Sequence, residues 1–424
     1  MIFNKVYYEN IDETLYSAVH ESGLKVYLLP KDFTKTYAVI GTRFGSANDR
    51  FILDGKEVAV PDGIAHFLEH KLFEKKDGTN AFDDYARTGA SANAYTGFSN
   101  TCYLFSCTDN LKENLEILLS FVAEPYFTDE NVEKEQGIIT QEIRMYDDDP
   151  NWSVYFSVLK CMYSDFPIRK DIAGTAESIR EITPEYLYTC YNSFYNPKNM
   201  ILFIVGDVGD FDSISEIVDK YVKNTNDEVP KSVFPTEPQA VFRDYYEQSM
   251  SVPTPLFMIG FKERENTQQG RELLRKQIAT EILLEMVFDK SSDLYHKLYN
   301  DGLINDSFSS EFACENMYAH TVLGGESPDP CKVRDEIAEY IKSVKLSKDD
   351  FIRCQRAYLG DFLHGLNSID GIGHEFISSM FTDVNYLETA AVCEEITFEE
   401  IEKRFSEHFI VEQMALSVVR PIEK

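Results

Sequence analysis

An internal repeat constrains the fold of this chain more than any other feature of its 424 residues. When the sequence is shifted by 214 positions without a gap, seven identities fall in register between residues 181–205 and 395–419. The repeated segment begins with the apolar spacing of an amphipathic helix and ends in a short apolar run typical of a strand. Each half of the chain is therefore predicted to end in the same helix–strand unit, which indicates two copies of one domain.

The predicted domain boundaries follow from a composition shift near the midpoint. Residues 222–240 contain three prolines and little apolar periodicity, as expected of a linker. We predict one domain over residues 1–225, a linker over 226–240 and a second domain over 241–424. Strand-like runs lie at 25–29, 37–42, 102–107 and 201–205, and helical patterns at 111–123, 130–145 and 184–194. This mixed order predicts a sheet covered by helices on one side.

The charge balance excludes several classes of partner. The chain has 72 acidic against 41 basic residues, a net charge of −31. Nucleic-acid and anionic membrane surfaces both attract basic proteins, so neither is an expected partner, whereas neutral or cationic partners are compatible. The N-terminus lacks the pattern of a signal peptide, and the longest apolar runs fall far short of the ~18 residues that cross a bilayer. A cytoplasmic location is the resulting expectation.

One short motif indicates chemistry. The sequence His66-Phe67-Leu68-Glu69-His70 places His66, Glu69 and His70 on one face if it is helical, because residues three and four apart are neighbours. Two imidazoles one turn apart can each offer a nitrogen to one divalent ion, and zinc favours such ligands. Glu69 is adjacent and suited to accept a proton from water. The alternative interpretation is a pair of core histidines on a helix.

A third metal ligand is expected from the helical pattern at 128–145. Glu135 and Glu142 are two helical turns apart and share a face. One carboxylate can bind the metal, while the other hydrogen-bonds a ligating histidine. The spacing alone does not choose between them, and a solvated acidic face is the alternative to both.

These motifs resemble the inverted zinc-binding signature of the insulinase/pitrilysin peptidases, the inverzincins. The segment Gly89-Ala90-Ser91-Ala92-Asn93-Ala94-Tyr95-Thr96 is similar to the Gly-rich Asn-Ala-x-Thr strand of that family. The resemblance extends over essentially the whole chain and is strongest to short bacterial zinc subunits associated with elongation-factor P modification. It implies an α+β fold of two homologous half-shell domains, each a mostly antiparallel sheet covered by helices.

The resemblance also implies a function and a set of residue roles. The implied activity is that of a zinc-dependent metalloendopeptidase acting on peptides or small unfolded polypeptides. One Zn2+ per chain would be bound by His66, His70 and Glu142, with Glu69 as general base and Glu135 hydrogen-bonded to a ligand. Ala92, Asn93 and Ala94 would form an edge strand to which the substrate peptide adds. Main-chain pairing of this kind gives affinity with little sequence preference, and small residues allow close approach of a backbone.

The second half departs from the metal-binding pattern. The 214-residue offset places Thr280, Leu283, Leu284 and Arg356 opposite the four motif positions, so a degenerate second domain without a metal site is expected. Long single-chain members of the family supply an Arg and a Tyr from their C-terminal half, where this sequence has Tyr299 and Asn305.

A half-length chain without that pair is expected to dimerise. We predict a heterodimer with a homologous subunit that donates the Arg/Tyr pair, with a homodimer as the alternative. Two other functions remain open: a non-catalytic scaffold subunit of a peptidase complex, and a zinc hydrolase acting on small molecules.

Overall fold

The fold is described from a computed structural model covering residues 1–225, 228–264 and 266–422. The chain divides into two compact units, neither of which is contiguous in sequence. Unit 1 comprises Met1–Ile143, Lys170–Phe234 and Gly365–Phe381. Unit 2 comprises Arg144–Arg169, Pro235–His364 and Thr382–Lys424.

The described residues form strands and helices in mixed order. The strands are β1 Asn4–Tyr8, β2 Glu13–Val19, β3 Lys25–Pro30, β4 Thr36–Thr42, β5 Arg50–Leu53, β6 Lys56–Ala59, β7 Ser91–Thr96, β8 Thr101–Cys107, β9 Met200–Gly206, β10 Lys231–Ser232, β11 Tyr245–Met250, β12 Leu256–Lys262, β13 Ser309–Cys314, β14 Ala319–Glu326 and β15 Met414–Pro421. The helices are α1 Ile64–Leu72, α2 Ala81–Thr88, α3 Leu111–Ala123, α4 Asp129–Asp147, α5 Pro150–Met162, α6 Ala176–Arg180, α7 Pro184–Phe194, α8 Phe211–Tyr221, α9 Gly270–Val287, α10 Asp293–Asn300, α11 Pro330–Ser343, α12 Lys348–Gly365, α13 Ile369–Phe381, α14 Thr389–Glu395 and α15 Phe398–His408.

Unit 1 is built on a seven-stranded sheet in the order β1-β2-β3-β9-β4-β8-β7. The pair β3/β9 is parallel, and the other neighbours in this sheet are antiparallel. A small second sheet has the order β10-β5-β6. Strand β10 lies within the predicted linker 226–240, so part of that segment is a sheet strand rather than a free connection. The first two residues of the predicted linker, 226 and 227, lie outside the described residues.

Unit 2 is built on a five-stranded sheet in the order β11-β15-β12-β14-β13. Here β11/β15 is the parallel pair, and the remaining neighbours are antiparallel. Its buried core is formed by apolar side chains of the sheet together with α9, α11 and α15. The two units are therefore mostly antiparallel sheets with helices, as the resemblance implied.

The predicted repeat is confirmed. Helix α7 and helix α15 are related by the 214-residue offset, and each is capped by the side chain of a threonine, Thr183 or Thr397. A strand follows each helix and begins at Met200 or Met414. The cap explains the shared start, since a threonine hydroxyl accepts a hydrogen bond from an otherwise unpaired N–H of the first turn.

The contiguous domains predicted at 1–225 and 241–424 need correction, because each sheet is covered by a helix from the other half of the sequence. Helix α5 packs on β11, β12 and β15 in unit 2, and helix α13 packs on β4 and β9 in unit 1. The ring of Phe376 in α13 stacks on Phe203 of β9 at 4.0 Å between centroids. Under the 214-residue offset, residues 144–169 correspond to 358–383, so the two exchanged stretches are equivalent.

None of the helices in the described part of the chain has both the length and the hydrophobicity to cross a membrane.

Candidate metal centre

The predicted motif lies on helix α1 of unit 1. The helix begins after Gly63, which has a left-handed backbone conformation at φ 87°. A Cβ at this position would lie 2.3 Å from the carbonyl oxygen of Ala173, so glycine is required for the close approach. Phe67 and Leu68 are fully buried and anchor the helix. Their packing leaves the histidine side chains on the opposite face.

The structure brings His66, His70 and Glu142 together. One ligand atom from each of these side chains lies within 4.8 Å of the others. Nε2 of His66 is 3.7 Å from Oε1 of Glu142, and Nε2 of His70 is 3.6 Å from Oε2 of the same carboxylate. Glu142 therefore faces both imidazoles, whereas Glu135 is hydrogen-bonded to His70.

This donor set fits a zinc ion. The nitrogen–oxygen separations of 3.6–3.7 Å exceed hydrogen-bonding distance. The two imidazole nitrogens and the Glu142 oxygens therefore lie close together without hydrogen-bonding one another. Two imidazoles and one carboxylate are a protein ligand set used at catalytic zinc, which keeps a fourth position open. Burial, followed by the nearby His70, lowers the pKa of His66 to about 4, so its imidazole is neutral and available as a ligand near pH 7.

Glu135 lies behind His70. Its Oε1 is 3.1 Å from Nδ1 of His70, which leaves Nε2 of that ring directed at Glu142. Burial alone would lower the pKa of His70, but the hydrogen bond with Glu135 and the surrounding carboxylates outweigh it, and the pKa is raised. For Glu135, burial acts to raise the pKa, and His70 together with Lys71 outweighs it, so the pKa is lowered. This is the arrangement that orients a metal-ligating histidine.

Glu69 is buried beside the histidines and hydrogen-bonds Thr96, a residue to which the sequence assigned no role of its own. The hydroxyl of Thr96, in β7, donates a hydrogen bond of 2.5 Å to Oε2 of Glu69. Burial raises the pKa of Glu69, and the Thr96 hydrogen bond opposes that shift. The only sequence signal for Thr96 was its place at the end of the Asn-Ala-x-Thr segment.

Strand β7 forms one edge of the seven-stranded sheet. It carries Ala92, Asn93 and Ala94, the residues predicted to bind substrate. The N–H of Ala94 donates a hydrogen bond of 2.9 Å to Oδ1 of Asn93, so this amide lies outside the ladder with β8. Helix α1 packs against β7, which brings the sheet edge and the motif histidines into one region of unit 1.

Unit 2 has a different set of groups at the corresponding positions. Thr280, Leu283 and Leu284 are buried in α9, and the Thr280 hydroxyl accepts a hydrogen bond of 2.8 Å from Nε of Arg404. Arg356 is exposed on α12. Among the described residues, the group in unit 1 is the only one of three or more potential metal ligands.

The two positions expected to hold an Arg and a Tyr are also described. Tyr299 in α10 is 45% exposed, and its ring is stacked on Tyr295. The side-chain amide of Asn305 donates a hydrogen bond of 2.7 Å to Glu326, and its oxygen accepts one from the backbone of Ser307. Position 299 therefore carries a phenol where a guanidinium is expected, and position 305 a carboxamide where a phenol is expected.

Comparisons with known proteins place the chain in a family. The family model described as Insulinase (Peptidase family M16) matches residues 56–176, and the model described as Peptidase M16 inactive domain matches residues 181–358. The chain is 44% identical to the uncharacterized zinc protease YmfH of Bacillus subtilis, over 98% of each chain.

Solved structures give the same picture of the fold. A structure from Alicyclobacillus acidocaldarius described as an M16-like peptidase superposes with a TM-score of 0.92 at 34% identity, covering 100% of this chain and 99% of that one. A protease from Helicobacter pylori superposes with a TM-score of 0.82 at 20% identity, covering 96% and 99% of the two chains. The second similarity concerns the fold alone.

Proposed function

The chain belongs to the insulinase family, peptidase family M16, and on this premise we propose that it is a zinc-dependent endopeptidase that hydrolyses peptides or small unfolded polypeptides. The observation that carries the proposal is the convergence of His66, His70 and Glu142 within 4.8 Å, with the Glu69 carboxylate on the same helix as the two histidines. One Zn2+ per chain would be bound by these three side chains. When bound, zinc supplies Lewis-acid polarisation of water and of a substrate carbonyl.

The protein's own residues divide the remaining work. Oε2 of Glu69 is engaged by Thr96, so Oε1 is the oxygen that accepts a proton from water and later returns it to the leaving amine. Burial raises the pKa of Glu69, which makes this carboxylate a stronger base than an exposed one. Glu135 holds the ring of His70 at Nδ1 and so fixes its orientation.

The edge strand β7 supplies the substrate-binding surface of the proposal. A peptide in extended conformation would add to β7 as a further strand, with Ala92 and Ala94 allowing close approach. Because Ala94 N–H is bonded to Asn93, the carboxamide of Asn93 must turn away when the peptide binds, and can then bond the peptide itself. Strand addition of this kind recognises the main chain of the substrate rather than its side chains, which is suited to unfolded polypeptides.

The proposal is tested by zinc content and peptide hydrolysis of the Glu69→Gln variant. We expect the variant to retain zinc, since Glu69 is not a ligand, and to lose about 10²–10⁴-fold in kcat. Glu57→Gln, an exposed glutamate in β6, is the matched control and should hydrolyse peptides normally. Hydrolysis that survives Glu69→Gln would contradict the role of Glu69.

The same assay separates the alternative functions. A wild-type protein that binds zinc but hydrolyses neither peptides nor small amides would favour the scaffold subunit. Hydrolysis confined to small molecules would favour the small-molecule zinc hydrolase. Retention of every element of the zinc motif argues for the peptidase, because a non-catalytic scaffold does not require a general base such as Glu69.

We further propose a heterodimer in which this chain is the zinc subunit and a homologous partner donates the Arg/Tyr pair. The support is the presence of Tyr299 and Asn305 at those positions. Native mass spectrometry of the chain expressed alone tests this: a stable homodimer with full peptidase activity would contradict it. A cytoplasmic location and a link to elongation-factor P modification remain predictions from the sequence.

A further inference from the structure

Helix α1 carries a lysine immediately after the second motif histidine. Lys71 is fully buried, with 0% of its surface exposed. Lysine is among the residues least often fully buried, and when it is, its ammonium group is paired. The position therefore requires an explanation beyond packing.

The ammonium of Lys71 contacts two carboxylates. Its Nζ lies 2.5 Å from Oε2 of Glu74, three residues further along the chain, and 3.4 Å from Oε2 of Glu135 on helix α4. The other oxygen of Glu135, Oε1, is the one at 3.1 Å from Nδ1 of His70. Glu135 is thus held at both oxygens, by Lys71 at one and by His70 at the other.

Buried ion pairs are weak devices for stability, because the cost of desolvating two charges cancels much of their attraction. An apolar side chain of similar size would fill the space under α1 without that cost. The charged group instead constrains orientation. An ammonium held in place by Glu74 restricts the plane in which the Glu135 carboxylate can lie. That plane in turn determines where the His70 ring is held.

We propose that Lys71 is a positioning residue of the metal centre, which sets the zinc affinity of His66, His70 and Glu142 by holding the carboxylate of Glu135 in place. The proposal rests on the zinc site of the proposed function and extends it by one residue. Both carboxylates that Lys71 contacts lie outside the proposed ligand set, so its influence on the metal passes through Glu135.

The experiment measures the zinc dissociation constant of the full chain by competition with a chromophoric chelator. Lys71→Met removes the charge at nearly constant volume and is expected to weaken zinc binding by about 10–100-fold, the usual effect of losing an outer-shell partner. Lys134→Met is the matched control. Its ammonium lies 3.8 Å from the same Glu74, but its side chain is 69% exposed, and wild-type zinc affinity is expected.

A double-mutant cycle distinguishes positioning from a general structural role. If Lys71 acts through Glu135, then Lys71→Met combined with Glu135→Gln should bind zinc no more weakly than Glu135→Gln alone. Additive losses would overturn the proposal, as would wild-type affinity in Lys71→Met. If Lys71→Met does not fold, Lys71→Gln carries the same test with a loss of about threefold or more expected, and wild-type affinity there would overturn the proposal.

Failure of this inference is distinguishable from failure of the proposed function. Wild-type protein and Glu142→Gln are measured in parallel with the Lys71 variants. If the wild type does not bind zinc, the proposed function itself fails. If the wild type binds zinc, Glu142→Gln loses it and Lys71→Met does not, only the role of Lys71 is wrong.

Discussion

The hydroxyl of Thr96 donates a 2.5 Å hydrogen bond to Oε2 of Glu69, and so joins the last residue of edge strand β7 to the motif helix α1. The substrate peptide is proposed to pair with strand β7, and Glu69 is the proposed general base. One hydrogen bond therefore connects substrate alignment with the orientation of the group that moves the proton. Reaction rates are sensitive to such alignment at the level of an ångström.

Replacing Thr96 by valine is expected to impair the chemical step more than substrate binding. Valine preserves the shape of threonine but cannot donate to Glu69, so kcat should fall roughly tenfold or more while KM changes little. Thr96→Ser retains the hydroxyl and should stay close to wild type. Steady-state kinetics on an unstructured peptide provide the measurement, and a wild-type kcat in Thr96→Val would show that the bond has no catalytic role.

Removing the outward amide of the edge strand is expected to weaken substrate binding. Ala94→Pro deletes an N–H that lies outside the β8 ladder, so the sheet should be preserved while a peptide loses one main-chain bond. KM should rise about five- to tenfold, the equivalent of one hydrogen bond. Ala94→Ser keeps the amide and serves as the control. An unchanged KM, with thermal unfolding unaltered, would argue against strand addition at β7.

Unit 2 is expected to lose stability in acid. Burial lowers the pKa of His320 to about 3 and that of His408 to about 4. Unfolded histidines have their ordinary pKa near 6.5, so below that pH the unfolded state binds more protons than the folded state. Stability should therefore fall as the pH drops from about 6.5 and level off near the two folded pKa values.

Glu263 adds to the acid sensitivity of unit 2. Burial acts to raise the pKa of this carboxyl, but its contacts with His408 and Arg404 outweigh burial and lower it. The stability it contributes is present above its ordinary pKa and is lost as the pH falls towards the folded value. Urea unfolding below pH 4.5 measures the contribution of Glu263, whereas between pH 7.5 and 4.5 it measures the slope that the histidines contribute. His320→Gln should flatten that slope, whereas substitution of the exposed His296 should not; equal slopes in all three proteins would contradict the assignment.

The exchanged helix α13 depends on a glycine. A Cβ on Gly373 would lie 2.2 Å from the Tyr37 ring of β4, in a buried contact that has no room for it. Gly373→Ala should lower the free energy of unfolding by about 1–3 kcal/mol. Gly360 in α12 has open space around it, so Gly360→Ala should raise the free energy of unfolding by about 0.5–1 kcal/mol. Urea titrations check both, and a neutral Gly373→Ala would mean that α13 can move away from the sheet.

Local pattern was sufficient for much of the fold. The helices predicted at 111–123 and 184–194 match α3 and α7, because apolar periodicity and caps are encoded in neighbouring residues. The exchange of α5 and α13 was not predictable in this way. Apolar periodicity indicates that each helix has a buried face but not which of the two homologous sheets covers it, because contacts distant in sequence make that choice.

The sequence by itself determined the repeat, the motif helix and the identity of its histidines, since each is a matter of spacing along one chain segment. Tertiary structure decided which atoms the two glutamates face. Glu135 and Glu142 share a face of α4, and only the placement of that helix against α1 directs Glu142 to both Nε2 atoms and Glu135 to Nδ1 of His70. Tertiary packing likewise determined the contacts of the buried Lys71 and of the Thr96 hydroxyl. A contact between two elements cannot be inferred from the residues that are adjacent in sequence.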